Sequence, residues 1–276
     1  MPLDPAAEAR YYASRGFDPT HTTAVRSHYL RYVEGRDFLV DLGCGRGEFL
    51  QLSEPVVTRV LGVDVDPEMV RLAGESGISV VQAEVHQYLE TTTDRPDTVF
   101  AAHVVEHLSV SETYDLLRSI AAVLQDDGVV IVVTPNPACL AMLTAEFWSD
   151  PTHVRPYTLD LLEFLLTSTG FEVTYRGANP ADTPGPPPEL LTSDDLPGWG
   201  RLDDELSGWN ETSWHASRDV KELSDQIAQL RHMMSALDER LVGLRHYATH
   251  VGGRLNDTLE FLYPANEIYV VGRKQP

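Results

Sequence analysis

The chain has 276 residues, enough for one α/β core with material left for an elaboration. Its formal charge of −21, with no run of Lys and Arg, excludes the basic stripe that a nucleic-acid substrate would call for. The 2 cysteines, Cys44 and Cys139, exclude a disulfide framework or thiolate metal site, and the absence of a basic-then-apolar leader or a bilayer-length apolar run leads us to expect a cytoplasmic protein.

In chain order, residues 6–34 read as two short helices broken near Gly16-Phe17-Asp18-Pro19, with Tyr11, Tyr12, His28, Tyr29 and Tyr32 on a half-polar face; residues 1–35 are taken as a helical lid. Phe38-Leu39-Val40 is the apolar run of a buried strand, and it enters Asp41-Leu42-Gly43-Cys44-Gly45-Arg46-Gly47. Glycine has no Cβ, so the backbone there can turn tightly and let a ligand come close. About twenty residues on, a second strand, Val60-Leu61-Gly62-Val63, ends at Asp64, the position from which a carboxylate reaches ribose hydroxyls in a doubly wound sheet. The spacing predicts a nucleoside-bearing cofactor.

Asp66 and Pro67 then cap and open a helix, and residues 78–81, 98–102 and 128–133 read as further strands, with a helix through 114–124. This alternation argues a parallel sheet with helices on both faces. A helix at 159–169 ends at Gly170 before a strand at 171–175, and a last strand reads at 267–272. Residues 36–177 are thus a core, 178–263 an insertion and 264–276 the strand that returns to the core. Prolines 180, 184, 186, 187, 188 and 197 make the first half of the insertion a draping loop. In the second half, Val220, Leu223, Ile227, Leu230, Met234, Leu237, Leu241, Leu244, Ala248, Val251 and Leu255 alternate steps of three and four. That heptad seam suits a helix that pairs with a copy of itself or a partner protein better than a broad globular face, and we expect a homodimer through residues 220–255.

The glycine turn reads G-x-G-x-G rather than the dinucleotide G-x-G-x-x-G, and it resembles the first motif of class I S-adenosylmethionine-dependent methyltransferases. With Val105-Glu106-His107-Leu108, Thr134-Pro135-Asn136-Pro137 and Asp150-Pro151-Thr152-His153-Val154-Arg155-Pro156, the order of motifs resembles the methyltransferase module of O-antigen chain-terminating enzymes and their relatives. The resemblance implies a Rossmann-like, seven-stranded class I sheet over residues 38–177 and the last strand. It implies that Asp41, Gly43, Cys44, Gly45 and His103 line the cofactor, that Asp64 holds its ribose, that Glu84 lies near the adenine amino group, and that Val65 and Val85 sandwich the adenine.

Methyl transfer to a hydroxyl needs the acceptor positioned and a proton removed, and histidine is the side chain suited to take it near neutral pH. His107, read as opening the helix after the fourth strand, and His153, in the loop after the fifth, both emerge at the sheet's C-terminal edge. His153 is taken as base, oriented by Asp150 or a neighbouring carboxylate, with Arg155, Glu106 and Tyr12 on the substrate; the bland alternative is that 150–156 is a structural loop. His103-Val104-Val105-Glu106-His107 matches an inverzincin spacing, but it follows a Rossmann-type strand and no other protease feature accompanies it. A divalent ion such as Mg2+ on His103, Glu106 and His107, as in quinone O-methyltransferases that carry E-x-x-E-H, is the remaining alternative to a protein base.

Three functions stay open. The first is O-methylation of a sugar or oligosaccharide hydroxyl in polysaccharide biosynthesis. The others are methylation of a natural product, quinone or amine, and a degenerate fold that works as a coiled-coil interaction protein.

Overall fold

The computed structural model describes residues 19–183, 218–262 and 264–275, so the expectations for Tyr12 and for most of the proline-rich loop lie outside the described residues. The chain divides into two compact units, 1–184 with 262–276, and 185–261.

The first unit is built on a 7-stranded sheet of order β3-β2-β1-β4-β5-β7-β6, the class I methyltransferase arrangement. Its strands are β1 (Phe38–Leu42), β2 (Arg59–Asp64), β3 (Val80–Gln82), β4 (Thr98–Ala102), β5 (Val129–Pro135), β6 (Phe171–Ala178) and β7 (Glu267–Lys274). The central strands β1, β4 and β5 are buried along their whole length, as continuous apolar runs must be when helices cover both faces. Strands β1 to β5 are parallel, but β7 runs antiparallel to both β5 and β6, so the sheet is mixed rather than all parallel. The β5–β7 register pairs Val133 with Tyr269 and Pro135 with Glu267, which brings an acid from late in the chain to the sheet's C-terminal edge.

Alternate residues feed two cores. On one face Val40, Val99, Val130 and Val132 pack with Leu116, Leu117, Leu162 and Leu165. These come from helices at Val110–Val123 and Leu159–Ser168. On the other face Leu39, Phe100, Ile131 and Tyr269 pack with Tyr29, Phe49, Leu50 and Ala73. There the covering helices are α1 (Pro19–Ser27), α2 (Leu30–Val33), α3 (Glu48–Ser53) and α4 (Pro67–Glu75). Asp66 caps α4 by accepting from the Glu68 N–H at 2.8 Å, with Pro67 at the first turn.

In the second unit Arg218–Leu262 is one helix of 45 residues, about 67 Å long at 1.5 Å per residue. Its seam positions Ile227, Leu230, Met234, Leu237, Leu244 and Val251 are all exposed. Among the described residues no helix is long and apolar enough to cross a membrane.

Candidate active site at the C-terminal edge of the sheet

Because β1 lies between β2 and β4, the chain reverses its winding there, and in doubly wound sheets ligands bind beyond the strands' carboxyl ends at such a point. The glycine turn lies there. Gly45 has φ +55°, and a Cβ on it would meet nothing within 4 Å, so this is the position where a ligand can approach bare backbone. Gly47, at φ +81°, has another task, since its Cβ would press Ile78 and Ala73 in the core. Asp64 locks the cradle. Its carboxylate accepts the Gly45 N–H at 2.8 Å and the Asp66 N–H at 2.9 Å, while burial pushes its carboxyl up from the ordinary value.

Several expected cofactor residues play other parts. The Cys44 thiol turns inward onto Gly62, whose added Cβ would sit 2.5 Å from its Sγ, and burial holds the thiol far above its ordinary pKa. Glu84 caps a helix at Val85–Thr91, accepting the Gln87 N–H at 2.9 Å, so one of its oxygens is committed to that helix. Val85 is half-buried against the core. Val65 stands 65% exposed just past the end of β2.

Asp41 shares the face of β1 that carries α1, and burial pushes its carboxyl up to about 7, opposed by the Arg26 guanidinium. Arg26, which no sequence motif flagged, lies 5.9 Å from the Phe100 ring centre. Among the described residues its Nη1 is buried with no hydrogen-bond partner. A buried guanidinium nitrogen with a spare proton, close enough to Asp41 to act on its charge, fits the charged methionine end of an adenosyl cofactor.

His103 adopts a left-handed backbone, φ 57°, that a non-glycine residue takes only under constraint. Both ring nitrogens supply that constraint: Nδ1 donates to Glu106 Oε1 at 3.0 Å and Nε2 to Glu267 Oε2 at 3.1 Å. Burial works against the charged ring, but the two carboxylates outweigh it and raise His103 to about 9. Glu106 and Glu267 are buried, and His103 carries Glu267 down to about 2 against the cost of desolvation. Thr134 donates to Glu106 Oε2 at 3.1 Å; Tyr29 and Asn179 donate to Glu267 Oε1. The knot corrects two expectations. Glu106 is too buried and too fully bonded to grip a substrate, and His103 has no lone pair left for a metal.

His107 closes the turn Val105–His107 instead of opening a helix, because the next helix begins at Val110 behind a Ser109–Glu112 capping box. Its ring lies edge-on to that of His153 with centres 4.7 Å apart. Asp150 does not orient His153, since the nearest approach, Oδ2 to Nε2, is 3.9 Å. The Phe147 carbonyl does so instead, accepting the His153 Nδ1 proton at 2.6 Å. Burial holds His153 below the ordinary histidine range, so it is neutral with Nε2 bare. Arg155 lies with its guanidinium 5.1 Å from the Tyr157 ring centre and donates through Nε to the Pro156 carbonyl. Glu106, His107 and His153 offer donor atoms within 4.8 Å of one another. Each Glu106 oxygen also accepts one hydrogen bond, from His103 and from Thr134, and His103 faces its charge.

A family model for a methyltransferase domain matches residues 25–176. An uncharacterized protein of Methanocaldococcus jannaschii is 28% identical over 123 residues, 40% of this chain and 45% of that protein. A ubiquinone biosynthesis O-methyltransferase of a Methylobacterium species is 30% identical over 153 residues, 48% of this chain and 59% of that protein. The chain thus spans about half the length of the curated relatives it matches. A crystal structure of a SAM-dependent methyltransferase from Archaeoglobus fulgidus superposes with a TM-score of 0.61 at 22% identity, covering 93% of this chain and 95% of that one, a likeness of fold.

Proposed function

We propose, from the premise that this chain belongs to the methyltransferase-domain family, that it transfers a methyl group from S-adenosylmethionine to a hydroxyl oxygen of its acceptor. The observation that carries the reading is the cradle: bare backbone at Gly45, the Asp64 carboxylate bound to it, and the orphan Nη1 of Arg26. The bound cofactor supplies an electrophilic methyl carried on a sulfonium. The chain's own part is to hold that group and take a proton. Arg26 and the Gly43–Gly47 backbone meet the methionine end, Asp64 the ribose, and Val65 with Val85 the adenine. The acceptor's hydroxyl proton passes to a bare imidazole nitrogen of the His107–His153 pair as the oxygen takes the methyl.

A sugar or oligosaccharide hydroxyl is the acceptor that the motif order favours, although none of the relatives above is named for a glycan. A second reading is a small natural product or quinone, supported by the relative named for ubiquinone biosynthesis. We further infer that the exposed heptad seam pairs with a second copy of this chain, since Leu fills four of its positions from Leu223 to Leu244 at one heptad spacing.

Calorimetry with S-adenosylhomocysteine, followed by an acceptor screen read by mass spectrometry, tests the activity. Arg26→Ala should weaken binding about 10- to 100-fold, the worth of a hydrogen bond to a charged group. His107→Ala should leave affinity unchanged and lower turnover at least about 100-fold. Absence of cofactor binding by the unaltered protein would end this reading.

A further inference from the structure

The hydroxyl of Thr152 touches two groups at once. Its Oγ1 lies 2.6 Å from Asp150 Oδ1 and 2.8 Å from His107 Nδ1. A threonine hydroxyl carries one proton, and a carboxylate oxygen can only accept it, so that proton is committed to Asp150. The lone pairs left on Oγ1 must then accept from His107, which fixes its proton on Nδ1 and leaves Nε2 bare. Asp150 itself is buried, and its Oδ1 also accepts the Thr152 backbone N–H at 2.9 Å, so carboxylate and hydroxyl are pinned together by the turn.

The neighbouring imidazole has a different backing. His153 is tied to a neutral carbonyl, that of Phe147. A proton arriving on His153 would find, among the described residues, no carboxylate within hydrogen-bond reach, with Asp150 3.9 Å away. A proton arriving on His107 Nε2 would create an imidazolium whose Nδ1–H points through one hydroxyl to a buried negative charge. The titratable groups that face His107 are Glu106 on its own turn and His153 and Asp150 on the loop after β5. With the rings at 4.7 Å, charge on one would face the other, and of the two only His107 has Asp150 behind it through a single hydroxyl.

We propose that Thr152 is a positioning residue that couples Asp150 to His107, and that this coupling makes His107, not His153, the proton acceptor of the pair. The inference rests on the O-methyl-transfer reading for its catalytic half, but its structural half, the tautomer of His107, is independent of any activity. In the reaction the acceptor O–H bond breaks, its proton goes to His107 Nε2, and the oxygen's electron pair forms the new bond to the methyl carbon as the S–C bond of the cofactor breaks.

The test compares Thr152→Val, which keeps the shape and removes the hydroxyl, with Thr152→Ser, which keeps the hydroxyl. Imidazole nitrogen NMR on each, without substrate, reads the tautomer. The unaltered protein and Thr152→Ser should show His107 protonated on Nδ1, and Thr152→Val should show a mixture of tautomers. In turnover, Thr152→Val should lose about 10- to 100-fold in kcat/KM with cofactor affinity unchanged and the acid limb of its pH profile moved to lower pH, while Thr152→Ser recovers most of the loss. An unchanged tautomer in Thr152→Val overturns the proposal whether or not the acceptor has been found. Normal cofactor binding with the expected tautomer but an unaltered pH profile would overturn the choice of His107 alone.

Discussion

Replacing Glu267 by glutamine tests whether the His103 knot holds the sheet edge together. Glu267 is held at about 2 instead of 4.5, which is worth about 3 kcal/mol to the folded state. Loss of one partner of a buried ion pair costs about 3–5 kcal/mol, and the lower end applies here because a glutamine oxygen can still accept from Tyr29 and Asn179. Its NH2 group would meet the His103 Nε2 proton head-on, so His103 must give that proton up to be accommodated. For a chain of this size about 3 kcal/mol moves Tm by roughly 6–12 °C. The pH dependence is the sharper readout. Glu267 has a depressed pKa, so its contribution is complete above 4.5 and lost as pH falls through about 2. His103 has a raised one, so its contribution is complete below 6.5 and lost as pH rises through about 9. Calorimetric scans between these limits should therefore show the unaltered protein most stable near pH 4.5 to 6.5 and declining toward 9, while in Glu267→Gln, where His103 gives up its proton, the decline above 6.5 is smaller or absent. Equal melting temperatures at pH 6 and parallel curves to pH 9.5 would refute the account of the knot, because about 2 °C is already less than 1 kcal/mol of change.

Two further outcomes follow from packing. Gly62→Ala places a Cβ 2.5 Å from Cys44 Sγ and 3.1 Å from Leu50 Cδ1, and should destabilise the protein by about 1–3 kcal/mol in urea unfolding. The double variant Gly62→Ala, Cys44→Ala should recover part of that loss, and additive effects in the cycle would show that the two sites do not touch. Leu230→Asp with Leu237→Asp puts charge in the heptad seam; light scattering should give a dimer for the unaltered chain and a monomer for the variant, and a monomer for both removes the self-pairing proposal.

The central strands were legible because burial on both faces leaves a continuous apolar run with no competing period, as in residues 129–133. The antiparallel course of β7 was not, since its pairing with β5 is settled by which edge is left vacant after β6, a property of no local segment. At the site, the glycines and Asp64 could be read from spacing alone, whereas the inward turn of Cys44 depends on Gly62 being small, a fact from the next strand. His107 and His153 were both visible, but their ranking rests on Thr152, whose neighbours in the sequence, Asp150 and His153, suggested a direct pair. Arg26 and Glu267 carry no motif, and only the fold shows that a lead-in helix and the last strand bring their opposite charges near each other.

The position of β7 between β5 and β6 also sets a timetable for synthesis. After β6 leaves the ribosome, the 88 residues 179–266 must be made before β7 appears, a delay of roughly 4 to 18 s at typical elongation rates. Throughout that interval the all-apolar flank of β5 has no neighbour and β6 has nothing to join, so the nascent chain presents a sticky border of the kind that chaperones shield. The imidazole of His103 likewise waits for its second acid until the strand that bears it arrives, which makes closure of the sheet and completion of the active-site wall a single late event.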